Sequence, residues 1–140
     1  MTLLVDAGPL VAAADLADPL HAAVEEVVRR ETGPVVVPAP VTAEIDYLLG
    51  RRLGAPARRA FLDDLATGRL LVEGLDRHEH ALAADVDRRY ADLDIGLADL
   101  SVVVLAYRLD TRRVLSFDER RFRAVQPLQG GSFELLPADA

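Results

Sequence analysis

An α/β fold, built as a three-layer α/β/α sandwich around a central, mostly parallel sheet, is predicted by three observations. Short apolar runs recur along the chain without the polar alternation of a half-exposed strand, as buried parallel strands do. Helix-length stretches with one apolar face separate them, which suits the crossovers that parallel strands need. The length of 140 residues, 51% of them hydrophobic, suffices for one domain with both faces of its sheet covered.

Residues 2–5 read as a buried strand that ends on Asp6, and Pro9 suits the first turn of a helix that Asp6 caps. Residues 20–31 carry Leu20, Val24, Val27 and Val28 on one face. The turn Gly33-Pro34 leads into a strand at 35–37, closed by Pro38-Ala39-Pro40. Two helices follow, 41–53 with Ile45, Leu48, Leu49 and Leu53, and 56–66 with Phe61, Leu62 and Leu65, with Gly54 and Gly68 at their ends. Residues 70–72 read as a third buried strand and 77–91 as another helix. Residues 97–109 are apolar on all sides, which predicts a buried helix. The strand at 114–115 leads to Asp118, placed to cap a short helix, and 133–135 reads as a weaker last strand after Gly130-Gly131. No repeat and no low-complexity linker interrupts the series.

Composition removes several chemistries. There is no cysteine, so neither disulfides nor thiolate metal sites are available. All 16 basic residues are Arg, so nothing that needs a lysine amine can operate. The net charge of −7 argues against a simple basic sleeve for nucleic acid, although not against a nuclease. No basic leader and no membrane-length apolar stretch is present, so a soluble cytoplasmic protein with no membrane contact is expected. His78 and His80 are two apart and point to different faces of a helix, and His21 stands alone, so surface roles are expected for all three. Neither a Gly-rich phosphate loop nor a nucleophile elbow occurs.

What remains is carboxylates. Asp6 and Asp118 both follow strands, and open parallel sheets bind ligands beyond the carboxyl ends of their strands. Each would also serve simply as a helix cap. In "VTAEIDYLLGRRL", Glu44 lies about 40° from Leu48 on a helical projection and borders the apolar stripe, whereas Asp46 lies about 200° from Glu44 and points away. Glu44 is the inward candidate, or an acid favoured by the helix dipole. In "DIGLADLSVVVLAYRL", Asp94 is placed to cap the buried helix, and Asp99 lies in its first turn, facing the sheet end. Asp6, Glu44, Asp99 and Asp118 around one sheet end would repel one another by roughly 3 kcal/mol per pair about 5 Å apart. A divalent cation resolves that conflict. Oxygen-only ligands favour Mg²⁺ or Mn²⁺, which can activate water at a phosphodiester.

Taken in order, "LLVDAGPLVAA", "TAEIDYLL", "LDIGLADLSVVVLAYRL" and "VLSFDERRF" resemble the PIN-domain family, specifically its VapC-type toxin ribonucleases, over residues 3 to about 123. The resemblance implies one PIN domain over 1–140 with a Rossmann-like sheet. It implies Asp6, Glu44, Asp99 and Asp118 as catalytic, metal-holding residues, with Ser116 where the family has Thr or Ser two residues before its last Asp. It further implies a metal-dependent endoribonuclease using Mg²⁺ or Mn²⁺, an RNA substrate, a VapB-type antitoxin and a homodimer. One departure is Gly8, where many relatives carry Ser or Thr. Arg112, Arg113, Arg120, Arg121 and Arg123 near the last strands are candidates to meet RNA phosphates, although ordinary surface charge accounts for each of them.

Two other readings stay open. An aspartyl-phosphate phosphatase or receiver-like domain also uses a strand-end Asp with Mg²⁺, but such proteins need a lysine, and phosphatases need an Asp at the place of Gly8. A degenerate PIN fold that only binds a partner is the non-enzymatic alternative.

Overall fold

The computed structural model describes all 140 residues. Five short strands, β1 (Leu3–Val5), β2 (Val35–Pro38), β3 (Leu71–Glu73), β4 (Arg113–Leu115) and β5 (Glu134–Leu136), form a wholly parallel sheet in the order β3-β2-β1-β4-β5. Between them run α1 (Ala7–Ala14), α2 (His21–Arg30), α3 (Ala39–Arg52), α4 (Ala55–Ala66), α5 (Arg77–Arg89), α6 (Leu97–Arg108) and α7 (Glu119–Ala124). A single 3₁₀ turn, Ala91–Leu93, joins α5 to α6.

The absence of alternation in the strands has a direct cause, which is that both sheet faces are covered. Leu4 sits beside Val36 and Val114, and Val114 beside Leu135; this row packs against Ala83, Val86 and the buried side of α6. Leu3, Val5, Leu115 and Leu136 face the other way, onto Ala12, Val24 and Val27 of α1 and α2. Val37 turns to the same side, among Val11, Val41, Ile45 and Phe61. Burying such side chains stabilises by about 1.5–3 kcal/mol each, which fixes the register of every strand. Residues Leu100 to Ala106 of α6 are all buried, as the all-round apolar pattern predicts.

Three local expectations are corrected. Leu71 and Val72 are exposed because β3 is an edge strand, and only Leu70 before it is buried. The last strand lies one residue later than the apolar run suggests. Asp94 does not cap α6: Gly96 is the cap residue, and Asp94 adopts a left-handed conformation at φ 48° that ends the 3₁₀ turn.

Candidate active site

The strand order reverses direction at β1, so the carboxyl ends of β1 and β4 flank a crevice. Asp6 and Asp118 emerge there from adjacent strands, and the Asp6 amide donates to the Leu115 carbonyl at 2.9 Å. Asp6 caps α1, its Oδ1 accepting from the Ala7 amide at 2.8 Å, while Oδ2 accepts from Ser116 Oγ at 3.0 Å. Ser116 is buried, and its Oγ also accepts from the Asp118 amide at 3.0 Å. One hydroxyl therefore ties the two strand ends to each other. Asp118 caps α7 through the Arg121 amide at 3.2 Å.

Asp99 enters from the first turn of α6, on a helix that packing holds against the sheet. Its side chain is only 13% exposed, enough to make an ionised carboxylate costly. Burial, and then the negative charges of Asp6 and Asp118, push its pKa up to about 6, while Arg121 opposes the shift. Arg121 Nη1 lies 3.3 Å from Asp99 Oδ2 and 3.6 Å from Asp118 Oδ2, so one guanidinium stands between two of the acids.

Of the four predicted site residues, the structure brings Asp6, Asp99 and Asp118 together. Glu44 is exposed on α3 and is not among the charges that act on Asp99. Asp46 points elsewhere, pairing with Arg58 of α4 at 3.4 Å. His78 and His80 are exposed as expected. His21 is not a surface residue: its side chain is 13% exposed, and Nδ1 lies 3.0 Å from the Ala12 carbonyl oxygen, joining α2 to α1. Among the five arginines considered, Arg112 binds the carbonyls of Gln129 and Gly130, Arg113 pairs with Glu31 and Glu134, and Arg123 pairs with Glu119 and Asp139. Arg121 reaches the acids, a placement that the i, i+3 spacing from a capping Asp118 encodes. Gly8 is exposed, and a Cβ there would stand 3.1 Å from Cδ2 of Phe117.

The donors around Asp99 are of the chemical kind a hard divalent cation takes. All the converging side chains offer oxygens, and Arg121 offsets only part of the burial and like-charge repulsion at Asp99. As the side chains stand, no three His, Asp or Glu residues are close enough together to hold a metal ion, and Arg121 is the cation that meets Asp99 and Asp118. An incoming metal would compete with that guanidinium.

Comparison with known proteins agrees with the fold. The chain is 39% identical over 135 residues to ribonuclease VapC26 of Mycobacterium tuberculosis, covering 96% of this chain and 100% of that protein. The fold matches the crystal structure of M. tuberculosis VapC20, a Sarcin-Ricin loop cleaving toxin, with a TM-score of 0.76 and 19% identity over 84% of this chain and 90% of that one. It also matches VapBC2 from Rickettsia felis, crystallised with a DNA fragment from its promoter, with a TM-score of 0.70 and 14% identity over 96% of this chain and 98% of that one. The PIN domain profile matches residues 3–127, and the chain belongs to the PIN domain family.

Proposed function

We propose that this chain is the toxin ribonuclease of a toxin–antitoxin pair, hydrolysing RNA phosphodiesters with Mg²⁺ or Mn²⁺. The observation that carries the reading is the convergence of Asp6, Asp99 and Asp118 at the sheet's switch point, with Asp99 pushed up to about 6 by burial and by the other two. The 39% identity to a ribonuclease supports the same chemistry. Asp6, Asp99 and Asp118 would hold the cation, and Glu44 would complete the set only by swinging in from α3. The bound ion supplies Lewis acidity at the phosphoryl oxygen and at the attacking water. Ser116 keeps the Asp6 carboxylate aimed into the crevice, and Arg121, once displaced from the acids, is free to meet a phosphate.

A VapB-type antitoxin is the proposed partner. A groove of about 820 Å³ lined by Leu10, Ala13, Val28, Leu70 and Leu71 offers apolar contact, while its acids Glu26 and Asp64 already pair with Arg29 and Arg69 in the same lining. An antitoxin arginine reaching the acidic crevice would pair with carboxylates as Arg121 does. Homodimerisation and a cytoplasmic location belong to the same reading. No helix is long and apolar enough to cross a membrane.

The test is cleavage of RNA by purified protein. Asp99→Asn removes a charge at nearly constant volume, so cleavage should fall by orders of magnitude with the fold intact, as it should in EDTA. Asp46→Ala, away from the cluster, should remain active. Undiminished cleavage by folded Asp99→Asn would overturn the reading. A folded wild type that binds its antitoxin and cleaves no RNA in Mg²⁺ or Mn²⁺ would favour the partner-binding alternative.

A further inference from the structure

Phe117 stands between two residues committed to the acidic cluster, and the residue is 36% exposed. Ser116 before it is buried and bonded to Asp6, and Asp118 after it is bonded to Ser116 Oγ. The Phe117 carbonyl accepts from the Glu119 amide at 3.1 Å. With the backbone held on both sides, the ring cannot turn into the core without dismantling the turn that presents Asp118. Phe122 supplies the contrast: it is 2% exposed and packs edge-on against Phe133 at 5.8 Å between ring centres. One aromatic of this segment fills the core, and the other is left at the rim.

The ring also has a floor. Gly8, the second residue after Asp6, offers bare backbone beneath it, and any side chain there would begin 3.1 Å from Cδ2. Contact that close would require the ring to give by a few tenths of an ångström. The departure at Gly8 and the exposed phenyl are thus one feature, a flat apolar face supported from below at the mouth of the carboxylate cluster. Isolated exposed apolar side chains are ordinary on protein surfaces. This one is distinguished by its fixed backbone, its seat, and its place between two site residues.

We propose that Phe117 is a stacking platform for an unpaired RNA base beside the scissile phosphate, a role that rests on the ribonuclease reading above. A phenyl ring has no hydrogen-bonding tip, and every nucleobase has a π face, so stacking gives affinity with little sequence selection. The neighbouring cations suit the phosphate next to that base. Arg120 is exposed and makes no ion pair, and Arg121 lies across the acids. Base, phosphate and one carboxylate are then met from the single segment 117–121.

The experiment compares wild type with Phe117→Leu, Phe117→Ala and Phe117→Trp on a single-stranded oligoribonucleotide that the wild type cleaves. Leu keeps apolar bulk and loses the flat face. Phe117→Leu and Phe117→Ala should raise KM by about tenfold, more than they lower kcat, and Phe117→Trp should restore it. Two further readouts separate stacking from damage to the site. Mn²⁺ affinity, followed by electron paramagnetic resonance without RNA, should be the same in all four proteins. A 2-aminopurine placed next to the scissile phosphate, in an Asp99→Asn background, should be quenched on binding, and that quenching should vanish with Phe117→Leu. Wild-type KM in Phe117→Leu, or weakened Mn²⁺ binding that accounts for the loss, would overturn the platform while leaving the ribonuclease reading intact. A wild type that cleaves no RNA would remove both.

Discussion

Asp99 is the residue on which the site's energetics converge. Its folded pKa of about 6 exceeds the ordinary value of 3.8, so the folded protein keeps a proton that the unfolded chain gives up. The stability this contributes is complete below pH 3.8 and is lost as pH rises through 6. A shift of that size corresponds to about 3 kcal/mol before screening, and partial solvent access reduces it to about 1–2 kcal/mol. Metal-free Asp99→Asn is therefore expected to melt higher than wild type at pH 7, with the difference closing by about pH 4. Added Mn²⁺ should reverse the order at pH 7, because only the wild type gains full binding energy. Thermal melts across pH with EDTA and with Mn²⁺ check both. At this scale the sequence was partly legible. Asp6 and Asp118 were visible as strand-end residues, and Asp99 by its position before an all-apolar helix. A helical projection gives the azimuth of Glu44 and not its distance from Asp99, which depends on where α3 docks. The seat of Phe117 on Gly8 depends on β1 and β4 being neighbours, a fact no local pattern contains.

Among the elements, α1 and α7 begin on the same carboxylates that would hold the cation. A single side chain thus starts a helix and faces the crevice, with one oxygen for each task in Asp6. Asn and Asp cap equally well, whereas Ala leaves an amide without its acceptor at about 1 kcal/mol. Asp118→Ala should therefore be less stable than Asp118→Asn by about 1 kcal/mol in EDTA, while both lose cleavage. Urea denaturation measures the first and RNA hydrolysis the second, and equal stability would mean that the cap contributes nothing to α7. The central strands were readable because burial on both faces leaves an unbroken apolar run. At β3 the same run misled, since an edge strand keeps the β-forming residues Leu71 and Val72 while exposing them. Asp94 misled for a related reason: an Asp before a helix signals a cap, and here the backbone spends it on closing the preceding turn.

For the whole molecule, the net charge of −7 limits how RNA can be held. Arg112, Arg113 and Arg123 are engaged within the protein, which leaves Arg120 unpaired and Arg121 available only on release from Asp99 and Asp118. Single-stranded RNA binding should accordingly depend weakly on salt, with a slope of log affinity against log salt no steeper than about −2. Fluorescence anisotropy of inactive Asp99→Asn with RNA in increasing KCl tests this, and a slope beyond about −4 would reveal a wider basic footprint. The layered architecture was legible from length and from the rhythm of strand and helix, because that rhythm admits few topologies. The order of the strands has a further consequence, in time. β1 is synthesised first, yet it lies in the middle of the sheet, and the Ser116 that orients Asp6 follows 110 positions later. At about 5–20 residues per second, Asp6 waits roughly 5–20 s for its companions on the ribosome. The nascent chain is chemically silent for most of its synthesis, and one that stalls before Val114 presents an open apolar strand edge in place of an acidic crevice.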